Sequence, residues 1–244
     1  MAHLPLIRGS LMRPAAGLAV QGRSAAEAVL APTPGLEDAA VPGGTGPAAG
    51  LGFFLARQAG SGKRLIALVA PRTWEAERGR LMARGAMVFG IAPERFLVVR
   101  PRTAADALWA LEEVLRSGAV DLAVGAVGDA SLTHTRRLDM AAREVGAACA
   151  LMRVAGEGEP LPLSAARRRW RVGPLPSAGD RWDAKAPGAP RWRAALERRR
   201  DGPPGCWDLE WNDETGRLDL VEGLAGDGLG QGPGLPDSWA RAAG

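Results

Sequence analysis

The sequence predicts an α/β fold, a mostly parallel sheet flanked by helices, with an antiparallel β extension toward the C-terminus. Three observations predict it. Short continuous apolar runs such as "LIALVA" (65–70) and "DLAVGAV" (121–127) read as strands covered on both faces. Amphipathic helical stretches alternate with those runs, the arrangement that gives parallel strands joined by crossover helices. Beyond Gly156 the pattern changes to period two, in "RRWRVG", "CWDLEW" and "RLDLVE", as in strands that pair antiparallel at the edge of a sheet.

Each element follows from local chemistry. The first 50 residues and residues 223–244 are rich in Gly, Pro and Ala and poor in periodic apolar residues, so both read as largely disordered. The folded domain is placed at 36–222, with its β extension from about 164, between flexible tails at 1–35 and 223–244. "AAGLGFFLARQAG" (48–60) reads as a helix with Leu51, Phe54 and Leu55 on one face, closed by Gly60. "LIALVA" is a strand, residues 74 to about 84 a helix, and "RFLVVR" (95–100) a strand stopped by Pro101. In "TAADALWALEEVLRSG", Thr103 can cap a helix and Asp106 suits its positive first turn. Ala107, Leu108, Leu111, Val114 and Leu115 form its buried stripe, and Gly118 ends it. After "DLAVGAV", "THTRRLDMAAREVG" reads as a helix capped by Thr133 and ended by Gly146, with Leu138, Ala141, Ala142 and Val145 inside; "ACALMRV" (148–154) is the next strand.

Composition narrows the function classes. With 46% apolar and 24% charged residues the chain can bury a core of useful size. Two Cys and two His lie far apart, which offers no zinc set and no Ser-His-Asp or Cys-His arrangement. A disulfide between Cys149 and Cys206 is possible in principle, although the chain does not resemble a stapled secreted scaffold. No stretch approaches a membrane span, and "MAHLPLIRGSLMRP" lacks the continuous apolar core of a signal peptide, so a cytoplasmic protein is expected. Charge is unevenly placed. Residues 164–200 carry 11 Lys and Arg against 3 Asp and Glu, and residues 201–244 carry 2 against 9. That suggests contact with a polyanion or an acidic partner, with the acidic end competing for the same surface, or simply a solvated charged face.

"RQAGSGKR" (57–64) resembles the end of a phosphate-binding loop. Such a loop runs G-x-x-x-x-G-K-[ST] from a strand into a helix. Here Arg57 stands where the first glycine belongs and Arg64 where the magnesium ligand belongs, and the segment leaves a helix and enters a strand. The topologically correct place is "VPGGTGPAAGLGFF" (41–54), which has neither the Lys nor the hydroxyl at the required spacing. It could offer helix-terminal N–H groups to an anion but is not expected to turn over ATP. Asp129, after "DLAVGAV", is a possible metal partner or a turn residue, and His134 reads as a surface residue in the first turn of its helix.

Six of the eight Trp lie at or beyond Trp170, and three follow an Arg directly, at 169–170, 181–182 and 191–192. Arg beside aromatic rings can grip phosphates and stack on unpaired bases. Alternation buries Trp170 and Val172 on one face and points Arg169 and Arg171 to water; Trp207, Leu209 and Trp211 alternate likewise. Arg167, Arg168, Arg169, Arg171, Arg198, Arg199 and Arg200 are therefore the candidate partner- or DNA-binding residues.

"ALWALEEVLRSGAVDLAVG", "LTHTRRLDMAAREVGAACALMRV", "SAARRRWRVGPLPS" and "PRWRAALERRRDGPPGCWDLEW", in that order, resemble the ImuA family, RecA-like proteins of bacterial inducible mutagenesis cassettes. The resemblance runs from about Leu36 to Glu222. It implies a RecA-type core and a part in damage-induced translesion DNA synthesis within the SOS response. The implied partners are ImuB, a polymerase-like protein without catalytic residues, an error-prone replicative-type polymerase, and RecA. Near "GLEDAA" the family pattern implies a His-Glu pair, where this chain has Glu37-Asp38. No catalytic residue, cofactor or metal is carried over. The expected function is a non-catalytic accessory protein in the cytoplasm, near the nucleoid during DNA damage. Two alternatives stay open: a cell-division inhibitor like SulA, and a RecA-like ATPase in which Lys63 or a nearby Arg reaches the phosphates.

Overall fold

The computed structural model describes residues 26–80, 82–156, 158–180, 182–183 and 185–221. The chain divides into two compact units, residues 1–31 and 32–244. In the first, residues 26–30 are helical, and the Ala31 N–H donates to the Glu27 carbonyl. That corrects part of the expected tail at 1–35; its residues 1–25, and the expected tail at 223–244, lie outside the described residues.

The second unit is built on a nine-stranded sheet. Its strands are β1 (Gly35–Val41), β2 (Leu65–Val69), β3 (Phe96–Val99), β4 (Val120–Ala126), β5 (Ala148–Val154), β6 (Arg168–Leu175), β7 (Arg191–Arg199), β8 (Gly205–Asn212) and β9 (Arg217–Leu220). They are ordered β3-β2-β4-β5-β1-β6-β7-β8-β9. Pairing is parallel from β3 through β6 and antiparallel from β6 to β9. The period-two segments were expected to pair antiparallel at the edge of the parallel sheet. β6 instead lies parallel to β1 on one side, Glu37 opposite Arg168 and Ala39 opposite Trp170, and so joins the parallel sheet to the antiparallel extension.

β1 corrects the reading of the first 50 residues. All seven of its positions are buried, and it lies between β5 and β6 as the middle strand of the nine. Its adjacent carboxylates, Glu37 and Asp38, hide the strand in the sequence. β7 was also missed. "RWRAALERR" is made of helix-favouring residues, yet Trp192, Ala194 and Leu196 are fully buried and its backbone pairs on both sides, so burial overrides propensity.

Among the described residues of the unit the α-helices are α1 (Gly46–Gln58), α2 (Arg72–Arg78), α3 (Ala83–Ala86), α4 (Ala104–Arg116) and α5 (Leu132–Glu144). The helix expected from 74 to about 84 is two short pieces, because α2 stops at Gly79, whose φ of 86° ends helical geometry. α4 is capped as expected, the Thr103 hydroxyl accepting from the Asp106 N–H at 3.1 Å. α5 starts earlier than expected. Ser131, not Thr133, is its cap, accepting from the His134 N–H at 3.3 Å. Leu111, Leu115, Leu138 and Ala142 of α4 and α5 pack on one face of the sheet in a continuous core with Leu36, Ala123 and Leu151.

α1 packs on the other face and is buried on nearly every side rather than along one stripe. Its approach to β1 depends on Gly50, where a Cβ would lie 2.5 Å from Val41 Cγ1 and 3.4 Å from Met152 Sδ. Phe53 meets Trp170 edge-on at 5.3 Å, and Trp192 donates its indole N–H to the Ala49 carbonyl at 2.8 Å. Among the described residues no helix is long and apolar enough to cross a membrane.

Candidate functional site

Three places bear on function: the corner between β1 and α1, the charges beneath it, and the arginines of β6 and β7. At the corner only Pro42–Thr45 separate the strand from the helix, fewer than the glycine-to-glycine run of a phosphate-binding loop. Its helix-start donors are partly used or missing. The Gly46 N–H bonds the Gly43 carbonyl at 3.3 Å, Pro47 has no N–H, and the Ala49 N–H bonds the Thr45 carbonyl at 3.1 Å. Thr45 is exposed and makes no capping bond with its side chain. Loss of the Gly46 and Pro47 donors weakens this helix start as an anion site.

Lys63 lies at the far end of the sheet. "AGSGKR" is a helix-to-strand turn that leads into the N-terminal end of β2, whereas the Gly-rich corner follows the C-terminal end of β1. The turn is pinned by Asp121, which accepts from the Arg64 backbone N–H and from Arg64 Nε, both at 2.8 Å. Gly62 gives that carboxylate room, since a Cβ there would fall 2.0 Å from Asp121 Oδ2. Lys63 is exposed on this lower edge.

Beneath the corner, β1 carries opposite ion networks on the two faces of the sheet. Glu37 receives both terminal nitrogens of Arg57, at 2.6 and 3.0 Å, and the Trp170 indole N–H at 2.7 Å, with Arg168 at 3.7 Å. Burial alone would raise the Glu37 pKa, but the Arg57 and Arg168 charges and the hydrogen bonds outweigh it and hold the carboxyl below its ordinary value. Arg57 also sits over the Phe53, Phe54 and Trp170 rings at 5.1–5.6 Å. On the opposite face Asp38, fully buried, lies 3.6 Å from Arg153 and 4.0 Å from Arg169. The "His-Glu" position of the family pattern is thus occupied by two carboxylates that organise the core.

The structure brings the predicted arginines together but turns several of them inward. β6 and β7 pair Arg168 with Arg199 and Arg169 with Arg198. Alternation does put Arg169 and Arg171 opposite Trp170, as expected, but that face is covered by the segment linking β5 to β6. Arg171 is buried. It donates to the Gly156 and Glu159 carbonyls at 3.2 and 2.9 Å and to Glu197 at 2.6 Å. Arg169 donates to the Leu161 and Pro162 carbonyls, and its pKa is lowered chiefly by burial. Arg168 is buried between Glu37 and Asp201, and burial lowers its pKa as well. The reading of Arg169 and Arg171 as outward and free is therefore corrected: with Arg168 they brace the fold. Arg199 is half-buried beside Asp201.

What stays accessible is a basic lower edge made of Arg198, Arg200, half-buried Arg167 and a residue that the sequence did not single out, Arg143. Arg143 and Arg167 converge on Gly35, where a Cβ would meet Arg167 Cδ at 2.9 Å and Arg143 Cγ at 3.3 Å. The Arg200 N–H bonds the Arg167 carbonyl at 3.1 Å. No sequence signal marks Arg143, an ordinary last-turn arginine of α5. Much of the sequence charge asymmetry is cross-strand pairing: Arg193 meets Asp208 twice at 2.7 Å, and Arg191 meets Glu210 at 2.9 Å.

Trp170, Trp192 and Trp211 are core residues, Trp207 is half-buried, and Trp109 and Trp182 are exposed. Cys149 and Cys206 are buried and unpaired with each other. Burial raises both thiol pKa values, which leaves neither as a ready thiolate. Asp129 and His134 are exposed, and His134 Nδ1 lies 3.1 Å from the Ser131 hydroxyl.

No family model matches the chain. Protein ImuA from Caulobacter vibrioides, strain NA1000 / CB15N, is 36% identical over 144 residues, 56% of this chain and 59% of that protein. Protein ImuA from the same species, strain ATCC 19089 / CIP 103742 / CB 15, matches to the same extent. The match thus spans less than two thirds of the length of these curated relatives. Among solved structures, the RadB recombinase aligns over 78% of this chain and 93% of its own with a TM-score of 0.52 and 15% identity. SulA from Pseudomonas aeruginosa aligns over 49% of this chain and 98% of its own, with a TM-score of 0.38 and 23% identity. In fold the chain is RecA-like, and in sequence it is similar to Protein ImuA, as the four ordered motifs indicated.

Proposed function

We propose that this chain is a non-catalytic accessory protein of damage-induced translesion DNA synthesis. It uses a RecA-like body as a scaffold that bridges an ImuB-type polymerase-like protein, an error-prone replicative-type polymerase and RecA. The observation that carries the reading is the combination of similarity to Protein ImuA with a β1–α1 corner that has no lysine or hydroxyl at the spacing of a phosphate-binding loop and no free N–H from Gly46 or Pro47. Buried carboxylates and arginines make the body rigid, and the basic lower edge offers a face for DNA or for an acidic partner.

The test is genetic and biochemical together. Deleting the chain from its host is expected to abolish most of the damage-induced rise in mutation frequency, and the tagged full-length protein is expected to retain the ImuB-type partner. Unchanged induced mutagenesis in the deletion strain overturns the proposal. So does filamentation on expression without any effect on mutation rate, which assigns a division-inhibitor role instead.

A further inference from the structure

The outer face of α4 and α5, turned away from the sheet, carries two exposed stripes of opposite charge. α4 leads from β3 to β4 and α5 from β4 to β5, all three strands being parallel, so the two helices run in the same direction on one face of the sheet. Each has 13 residues. Along α4 the third, sixth and tenth residues, Asp106, Trp109 and Glu113, are exposed at the i, i+3, i+7 spacing of a single stripe. Along α5 the fifth, ninth and twelfth, Arg136, Met140 and Arg143, are exposed at i, i+4, i+7. Trp109 is 65% and Met140 69% exposed, each a large apolar side chain in the middle of its stripe. The last residue of each helix reverses the sign, Arg116 on α4 and Glu144 on α5. Arg116 meets Glu112 at 2.6 Å and Glu113 at 3.7 Å, whereas the Asp106 and Arg136 side chains make no hydrogen bond or ion pair among the described residues.

We propose that this face joins two copies of the chain in an isologous dimer, α4 of each lying on α5 of the other. A twofold axis in the contact plane and along the helices gives that arrangement and keeps the facing helices parallel. Residues at similar heights then meet with opposite charge. Asp106 falls opposite Arg136 of the second copy and Glu113 opposite Arg143, each pair offset by two residues, about 3 Å along the axis. At the helix ends Arg116 falls opposite Glu144, so the signs match at every level although each helix changes sign along its length. Between the charges Trp109 falls opposite Met140 of the second copy, a favourable pairing of indole with thioether. A cleft of about 100 Å³ between the helices, lined by Trp109, Leu108 and Leu138, gives that methionine a place to enter. The contact is small. Two helices of about 10 Å diameter and 20 Å length cover about 400 Å² per copy, half the roughly 800 Å² of a standard interface, which suits a weak, concentration-dependent dimer.

Sedimentation equilibrium of the full chain from about 1 to 300 µM, the range of a weak contact, tests the proposal. The mass is expected to rise from that of one copy toward that of two, and Trp109→Ala is expected to weaken association by about tenfold or more. Asp106→Arg and Arg136→Asp are each expected to weaken it as well. An equimolar mixture of those two variants is expected to associate like the unchanged chain, because each copy then meets the opposite charge at both symmetric contacts. All three positions are exposed, so the melting temperatures are expected to stay close to that of the unchanged chain. Arg143, shared with the basic lower edge, is left unaltered. A mass that stays at one copy throughout overturns the proposal. So does a dimer that Trp109→Ala leaves intact, or a mixture that associates no better than its two components.

Discussion

Replacing Glu37 with glutamine is expected to destabilise the fold by about 3–5 kcal/mol, the range for breaking a buried ion pair from one side. The carboxylate receives both terminal nitrogens of Arg57 in its cage of Phe53, Phe54 and Trp170, and Arg168 shares it. Glutamine keeps the shape and removes the charge, which takes from Arg57 and Arg168 the buried carboxylate that they share and leaves the Trp170 N–H with a weaker acceptor. Urea unfolding at neutral pH measures the loss, and a change below about 1 kcal/mol, the scale of an exposed pair, would mean that the network is incidental. The pH dependence gives a second readout. The Glu37 pKa is lower in the folded than in the unfolded chain, so the unfolded state binds its proton first as pH falls. Its stabilisation is complete above the unfolded value of about 4.3 and fades as pH drops through the lower folded value. In Glu37→Gln that part of the acid limb is expected to be missing.

Charge reversal at Arg143, Arg198 and Arg200 together is expected to weaken binding to single-stranded DNA or an acidic partner by about tenfold or more at low salt and to flatten the salt dependence. All three are exposed, so each change is expected to cost no more than about 0.5 kcal/mol of stability. Fluorescence anisotropy with a labelled oligonucleotide, repeated with the ImuB-type partner, separates the two ligands. Binding that is unchanged toward both removes the lower edge from the account. Reversal at Arg168, Arg169 and Arg171 tests something else, because those side chains hold Glu37, Asp38, Glu197 and the β5–β6 crossover. Loss of binding there would follow from loss of the fold.

The sequence yielded most where local chemistry and tertiary structure agree. Thr103 caps α4, Gly118 and Gly146 follow the helices they were expected to end, and the apolar runs of β2, β4 and β5 stand where they were read. It yielded least where a distant partner changes what a residue can do. Glu37 and Asp38 look like loop residues until Arg57, Arg153 and Trp170, contributed by other elements, make them affordable in a central strand. Arg171 looks solvent-facing because alternation describes one sheet face at a time and cannot tell that the β5–β6 crossover covers the other. The helix is capped by Ser131 rather than by Thr133, so it starts earlier than "THTRRLDMAAREVG" suggested. Thr135 is also used, its hydroxyl accepting from the Ala165 N–H at 3.1 Å and tying α5 to the crossover. The missing lysine and hydroxyl spacing at 41–54 is a matter of which residues are present, whereas the basic edge needed the pairing of β6 with β7.

The most direct test of the scaffold reading is calorimetric titration of the full-length protein with magnesium and ATP, with phosphate release followed in parallel. The account predicts no saturable heat and no magnesium-dependent hydrolysis, because the corner has no lysine or hydroxyl at the required spacing and loses the Gly46 and Pro47 donors. Saturable ATP binding that Thr45→Ala abolishes would place the nucleotide at Pro42–Thr45 and contradict it.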